Sequence, residues 1–197
     1  MKSGGAMFAD RSRLADYLTF TVLLVAGLIA FGRIALPFMV SPGPLALNYV
    51  ENTPRISSAG MPTRSQFATI ANAGFDVVIS LAPATVLGAH DDEGALVTES
   101  GMRYFNIAVD FAAPKQEDFE HFVRILDAQH GQRILVHCQM NMRASTFVFL
   151  YRAIALREDP DQAYDDVVRV WQPVKQWRDF IRDTLIAHGR PLPLALE

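Results

Sequence analysis

Short β-branched runs alternate with helical repeats over residues 47–197. Residues 76–81 read Asp-Val-Val-Ile-Ser-Leu, a run typical of a buried strand. Residues 117–129 repeat apolar side chains at helical spacing, which places Phe119, Phe122 and Leu126 on one face. The predicted strands cover 55–59, 76–81, 103–108 and 133–137. The first predicted helix begins at residues 63–66 and ends near residue 73. Three more cover residues 93–100, 117–129 and 143–156. A fifth begins at residues 159–162, and the last covers residues 175–188.

Strands separated by helices predict an α/β fold. We expect a three-layer sandwich with a central, mainly parallel sheet of four to five strands and helices on both faces. Ligands of such sheets bind beyond the carboxyl ends of the strands. The segment after His137 follows a predicted strand and precedes the apolar helix 143–156, so it lies at that end of the sheet.

The first forty residues have a different pattern. Residues 17–32 carry no charge, and the apolar run continues to residue 40 apart from Arg33. A spanning helix needs about 20 apolar residues. The pattern therefore favours a single membrane anchor within residues 1–40, with membrane association through residues 17–40 and the side of the membrane left open. The alternatives are a signal peptide, a soluble apolar helix in a cytoplasmic protein, or a wrongly chosen start codon.

Residues 41–44 read Ser-Pro-Gly-Pro, which breaks regular structure. We therefore predict a linker over residues 41–46 and a catalytic domain over residues 47–197. The net charge of −3 argues against a nucleic-acid partner, because phosphate contacts need a basic surface. The chain has one cysteine, so neither an internal disulfide nor a cysteine-rich metal site is possible. We expect no metal and no cofactor, and the oligomeric state stays open.

That single cysteine is the candidate nucleophile. His137-Cys138 ends a predicted strand, and a helix begins about five residues later. A helix N-terminus binds anions and favours a thiolate over a thiol. Arg143 adds a planar donor fork that suits a tetrahedral oxyanion. Asn141 tolerates the left-handed conformation that a tight loop requires. The loop is therefore predicted to hold a thiolate beside a bound oxyanion.

Four stretches carry a family resemblance: residues 55–63 (Arg-Ile-Ser-Ser-Ala-Gly-Met-Pro-Thr), 74–81 (Gly-Phe-Asp-Val-Val-Ile-Ser-Leu), 106–111 (Asn-Ile-Ala-Val-Asp-Phe) and the His-Cys loop. Over about residues 47–190 the chain resembles the cysteine-dependent phosphatases of the tyrosine and dual-specificity superfamily. It is similar in particular to a bacterial branch described as dual-specificity-phosphatase-like or β-lactamase-hydrolase-like. The resemblance implies a phosphorylated protein or a small phosphate as substrate.

The resemblance also implies roles for individual residues. Cys138 would be the nucleophile, and Arg143 would clamp the phosphate. The family's general acid is an aspartate about thirty residues before the cysteine; Asp110 lies 28 residues before it (138 − 110) and follows a strand. Asp110 is thus the candidate acid, favoured over Glu117 and Asp118, although a turn aspartate would look the same. The substrate-binding candidates are His137, which would also support the thiolate, Gln139, Met140, Asn141, Met142 and Ser145.

One departure from the family pattern leaves the function open. Four residues separate Cys138 from Arg143, whereas the superfamily has five. Either the loop is one residue shorter, or Ala144 occupies the arginine position and Ser145 the following hydroxyl position. A short loop is similar to that of rhodanese-type sulfurtransferases. Three functions remain: a phosphatase with a phosphocysteine intermediate, sulfur transfer on a persulfide of Cys138, and a catalytically weak anion-binding module.

Overall fold

A computed structural model describes residues 45–197, which form one five-stranded sheet with helices on both faces. The strands lie in the order β1-β2-β5-β3-β4. The first pair is antiparallel and all the others are parallel. The predicted α/β class is therefore confirmed. The strands are β1 (Val50–Glu51), β2 (Ile56–Ala59), β3 (Val77–Ser80), β4 (Arg103–Asn106) and β5 (Ile134–His137).

Six helices connect or follow these strands in the described part of the chain. Their positions agree with the sequence pattern, and their ends follow local signals. Gly74, at φ 84°, lies just past the first helix, and the Asp159 carboxylate accepts from the N–H groups of Asp161 and Gln162 at the start of the fifth. The helices are α1 (Gln66–Asn72), α2 (Glu93–Glu99), α3 (Gln116–Ala128), α4 (Met142–Ile154), α5 (Pro160–Val170) and α6 (Lys175–Ala187), followed by a 3₁₀ turn (Leu194–Leu196).

Alternating strand residues face two separate apolar cores. Val77 and Ile79 of β3 belong to the larger core, which also contains residues of α3 to α6. Val78 between them belongs to the smaller core, with residues of α1 and α2. Because successive strand residues point to opposite faces, this division defines three layers: helices, sheet, helices. The sheet is thus buried on both sides, as mainly parallel sheets are.

The packed domain begins earlier than the sequence indicated. Leu45 and Ala46, which fall in the predicted linker, are buried in the smaller core. Their apolar side chains gain more from this packing than from solvent exposure. Within residues 45–197 we found no helix with the length and apolarity to cross a membrane. The predicted anchor, residues 17–40, lies outside the described residues.

Phe147 in the centre of α4 supports the larger core. Its ring is fully buried and packs against the rings of Phe119, Phe122 and Phe180 at centroid distances of 5.7, 5.6 and 5.8 Å. We expect Phe147→Ala to lower the free energy of unfolding by about 3–5 kcal/mol, because it leaves a cavity among rings that cannot collapse. Urea denaturation would measure this loss. Leu156→Ala, at a position that is 45% exposed, is the control, with a change of about 0.5 kcal/mol or less. A loss below about 1.5 kcal/mol for Phe147→Ala would contradict this packing.

Candidate active site

The loop after the central strand carries the site. Strand β5 lies between β2 and β3, and Cys138 follows its last residue. The Cys138 N–H donates to the Ala59 carbonyl at 3.2 Å, and the Leu81 N–H donates to the His137 carbonyl at 2.7 Å. The ends of the two neighbouring strands therefore hold the peptide group between His137 and Cys138 from both sides.

Asn141 closes the loop and begins helix α4. Its φ of 70° is left-handed, as the sequence predicted for this position. Its side-chain Nδ2 donates to the Asn48 carbonyl at 2.6 Å and to Ser58 Oγ at 3.2 Å. The Asn48 side chain donates in turn to the Met140 carbonyl at 3.1 Å. The Asn141 side chain thus fastens the loop to strand β2 and the chain before β1, and it does not line the cavity described next.

A cavity of about 370 Å³ opens over the cysteine. Cys138 is 1% exposed, so it lies at the bottom of this cavity. The first residues of α4 lie beside it, and their N–H groups have no intrahelical acceptor, as in any helix N-terminus. Ten residues line the cavity, some of them predicted from the sequence as site residues and others not: Pro83, Thr85, Val86, Asp110, Phe111, Cys138, Gln139, Met140, Met142 and Arg143.

Arg143 lines the same cavity with a buried guanidinium that is only partly satisfied. The residue is 4% exposed. Its Nη1 donates to the carbonyls of Leu81 at 3.3 Å and Val109 at 3.0 Å. Its Nε is buried and has no hydrogen-bond partner within residues 45–197, and no carboxylate of that range pairs with the side chain. One edge of the guanidinium is therefore fixed, and its charge is left for an anion in the cavity.

The structure distinguishes the two possible alignments of the loop. Arg143, not residue 144, reaches the cavity beside Cys138. Ala144 is fully buried in the larger core. The Ser145 hydroxyl donates to the Met142 carbonyl at 3.2 Å within its own helix, and Ser145 does not line the cavity. The loop is thus one residue shorter than the superfamily pattern, and its arginine is the second residue of α4.

Asp110 lies where the sequence placed the candidate acid. It is exposed, follows β4 and lines the cavity that contains Cys138. Its Oδ1 accepts from the Ala112 N–H at 2.9 Å, which leaves the other carboxyl oxygen for the cavity. Glu117 and Asp118 lie in the first turn of α3 and do not line the cavity. No group of three metal-ligating side chains occurs within the described range 45–197.

His137 makes a contact that sequence reasoning missed. The ring is fully buried, and its Nε2 lies 2.7 Å from Oε1 of Glu93, itself 5% exposed. His137 does not line the cavity. Its ring therefore joins the end of β5 to helix α2 through Glu93 and does not bind a ligand directly. Burial and the nearby Glu93 charge raise the pKa of Tyr104 to about 12, so its hydroxyl stays neutral beside this pair. Glu93 opens helix α2, where acidic residues are common, so no local signal indicated this role.

A central parallel sheet, a cysteine at the carboxyl end of its middle strand and an arginine in the first turn of the next helix define a class: the cysteine-dependent phosphatase superfamily. A Shewanella putrefaciens CN-32 protein described as "Putative phosphatase (DUF442)" is 34% identical, over 73% of this chain and 92% of its own, with a TM-score of 0.69. The chain belongs to this DUF442 family.

More distant solved structures share the fold. Tk-PTP in its active form is 18% identical over 70% of this chain and 95% of its own, with a TM-score of 0.60. TpbA of P. aeruginosa is 15% identical over 73% of this chain and 92% of its own, with a TM-score of 0.58. A scan against family models and a search of curated proteins gave no match.

The buried contact between His137 and Glu93 predicts a loss of stability when the carboxylate is removed. Glu93→Ala leaves the imidazole Nε2 without its partner, and we expect the free energy of unfolding to fall by about 1–3 kcal/mol. Urea denaturation would measure it. Glu99→Ala, an exposed position on the same helix, is the matched control and should change stability by about 0.5 kcal/mol or less. Equal effects of the two substitutions would show that the contact contributes nothing.

Proposed function

We propose that this protein hydrolyses a phosphate monoester through a phosphocysteine intermediate. The main support for this proposal is the environment of Arg143. Its guanidinium is buried, has no carboxylate partner among residues 45–197 and lines the cavity of Cys138. A buried charge without a counter-charge is costly, so a site that keeps one is suited to an anion. The planar fork of arginine fits two oxygens of a phosphoryl group.

In the first step the Cys138 thiolate attacks phosphorus. The S–P bond forms while the bond from phosphorus to the ester oxygen breaks. Three non-bridging oxygens carry the charge of this transition state. The free edge of Arg143 and the unpaired N–H groups at the start of α4 stabilise them, because preorganised donors interact most strongly where charge develops.

Asp110 supplies the proton that the leaving group needs. Protonation by a positioned carboxylic acid lets the ester oxygen depart as an alcohol and not as an alkoxide. Asp110, now ionised, then accepts a proton from a water molecule that attacks the phosphocysteine. The S–P bond breaks, inorganic phosphate leaves, and both the thiolate and the protonated acid are regenerated.

The substrate is a phosphorylated protein or a small phosphate. Among the solved structures with this fold, a cysteine-to-serine variant of TpbA is in complex with pTyr, and PTPMT1 is in complex with PI(5)P. The cavity of this chain has an apolar wall that includes Val86, Phe111 and Met140, and within residues 45–197 Arg143 is its one cationic lining residue. This lining favours a single phosphate on an aromatic or apolar group, as in phosphotyrosine.

A second candidate is sulfur transfer, which the spacing of four residues between Cys138 and Arg143 favours. The thiolate would attack the outer sulfur of a donor such as thiosulfate, release sulfite and carry a persulfide. That reaction needs no proton donor at the position of Asp110. The presence of this carboxyl at the cavity therefore favours phosphate-ester cleavage.

Loss of the nucleophile tests the proposed function. Cys138→Ser should lower hydrolysis of p-nitrophenyl phosphate by at least about 10³-fold, because the serine hydroxyl is not ionised. The released nitrophenolate measures the rate in the full chain. Glu99→Ala serves as the control and keeps the wild-type rate. Equal rates for Cys138→Ser and wild type, or a wild type that turns over thiosulfate and cyanide but no phosphate ester, would refute the proposal.

Loss of the proton donor should depend on the leaving group. Asp110→Asn is expected to lower kcat/KM by about 10²–10⁴-fold for phenyl phosphate, whose leaving phenol has a pKa of about 10 like that of tyrosine. The loss should be much smaller for p-nitrophenyl phosphate, because nitrophenolate leaves without a proton. Asp118→Asn is the matched control, outside the cavity, and should leave both substrates unaffected. Equal losses of Asp110→Asn on the two substrates would remove Asp110 from the acid role.

A further inference from the structure

The segment around Asp110 is held on both sides by donors from other elements. Before it, the Val109 carbonyl accepts from Arg143 Nη1 at 3.0 Å. After it, the Phe111 carbonyl accepts from the indole N–H of Trp177 at 2.9 Å. Trp177 lies on α6, 66 residues from Phe111 along the chain. The two residues flanking the candidate acid are thus fixed by the arginine of the site and by a distant tryptophan.

The half-buried Phe111 ring also packs against side chains of other elements. Its centroid lies 5.7 Å from the Trp171 ring and 5.6 Å from the Trp177 ring, and the Arg143 Cζ lies 5.9 Å above it. Trp177 is fully buried, so its own position is set by the larger core. The indole N–H of Trp171, by contrast, is buried without a hydrogen-bond partner among residues 45–197. Of the two indole rings, only that of Trp177 both packs on Phe111 and binds its backbone.

We propose that Trp177 is a positioning residue for the general acid: its N–H holds the backbone at Phe111 and so keeps the Asp110 carboxyl directed at the leaving group. This inference rests on the proposed function. The Asp110 side chain is exposed and, within the described chain, its hydrogen bond is to the adjacent Ala112 N–H, so its direction follows its backbone. A misplacement of about 1 Å in a reacting group can cost about 10²-fold in rate.

A positioning role differs from a packing role in what it changes. If Trp177 only filled the core, its loss would weaken the whole cavity and slow every substrate alike. If it aims Asp110, its loss affects only leaving groups that need a proton. The comparison of phenyl phosphate with p-nitrophenyl phosphate separates the two, because kcat/KM for each includes the step in which the ester bond breaks.

The test uses the full chain with Trp177→Phe, which keeps a buried ring and removes the N–H donor. We expect kcat/KM for phenyl phosphate to fall about tenfold, part of the 10²–10⁴-fold that a general acid supplies, and that for p-nitrophenyl phosphate to fall less than about twofold. Trp171→Phe is the matched control, because its N–H has no partner in the described chain, and it should leave the ratio of the two substrates unchanged. In an Asp110→Asn background, Trp177→Phe should have no further effect on phenyl phosphate.

Equal losses on both substrates, or a further loss in the Asp110→Asn background, would overturn the positioning role while leaving the proposed function intact. Wild-type activity that does not depend on Cys138 would instead refute the proposed function. If Trp177→Phe does not fold, as judged by thermal unfolding, the second variant carries 3-benzothienylalanine at position 177, which keeps the bicyclic ring and has sulfur in place of the N–H that binds the Phe111 carbonyl. This variant must show the same selective loss on phenyl phosphate for the inference to stand.

Discussion

The buried guanidinium of Arg143 is the constraint on which the site depends. Its Nη1 joins the carbonyl after β3, at Leu81, to the carbonyl before the candidate acid, at Val109. The same side chain lines the cavity that contains Cys138, and its Cζ lies 5.9 Å above the Phe111 ring. One charged group therefore connects the Cys138 loop, the sheet and the Asp110 loop. No carboxylate of residues 45–197 pairs with it, so an oxyanion in the cavity would supply the counter-charge. The shorter loop is compatible with this arrangement because the arginine lies in the first turn of α4 and lines the same cavity as the cysteine.

The sequence predicted most of this fold because the signals are local. β-Branched runs and helical repeats marked the parallel strands β2 to β5 and the helices, and Asp159-Pro160 marked the start of α5. The two-residue strand β1 was missed, since so short a segment has no periodicity. The loop was predicted to lie at the carboxyl end of the sheet, and it lies there because residues 134–137 form the central strand. The strand order itself depends on long-range pairing that no local pattern reports.

The site was predictable only in part, for the same reason. Cys138, Arg143 and Asp110 meet at one cavity as expected, whereas the side chains of His137, Asn141 and Ser145 turn away from it. Sequence alone could not choose between Arg143 and Ala144, because the choice depends on where the helix begins. Glu93 and Trp177 had no signal at all: an acidic residue at a helix start and a tryptophan in an amphipathic helix are both ordinary. Their contacts are with partners 44 and 66 residues away along the chain.

The covalent state of Cys138 during turnover tests the proposed phosphocysteine mechanism without reference to any one leaving group. Full-length protein would be mixed with p-nitrophenyl phosphate, quenched rapidly and analysed by intact mass and peptide mapping. We expect one phosphoryl group on Cys138 in the wild type and a strongly reduced amount in Arg143→Ala, which loses the buried guanidinium. Steady hydrolysis without any phosphoryl adduct on Cys138, or a sulfur adduct in its place, would rule out the phosphocysteine mechanism.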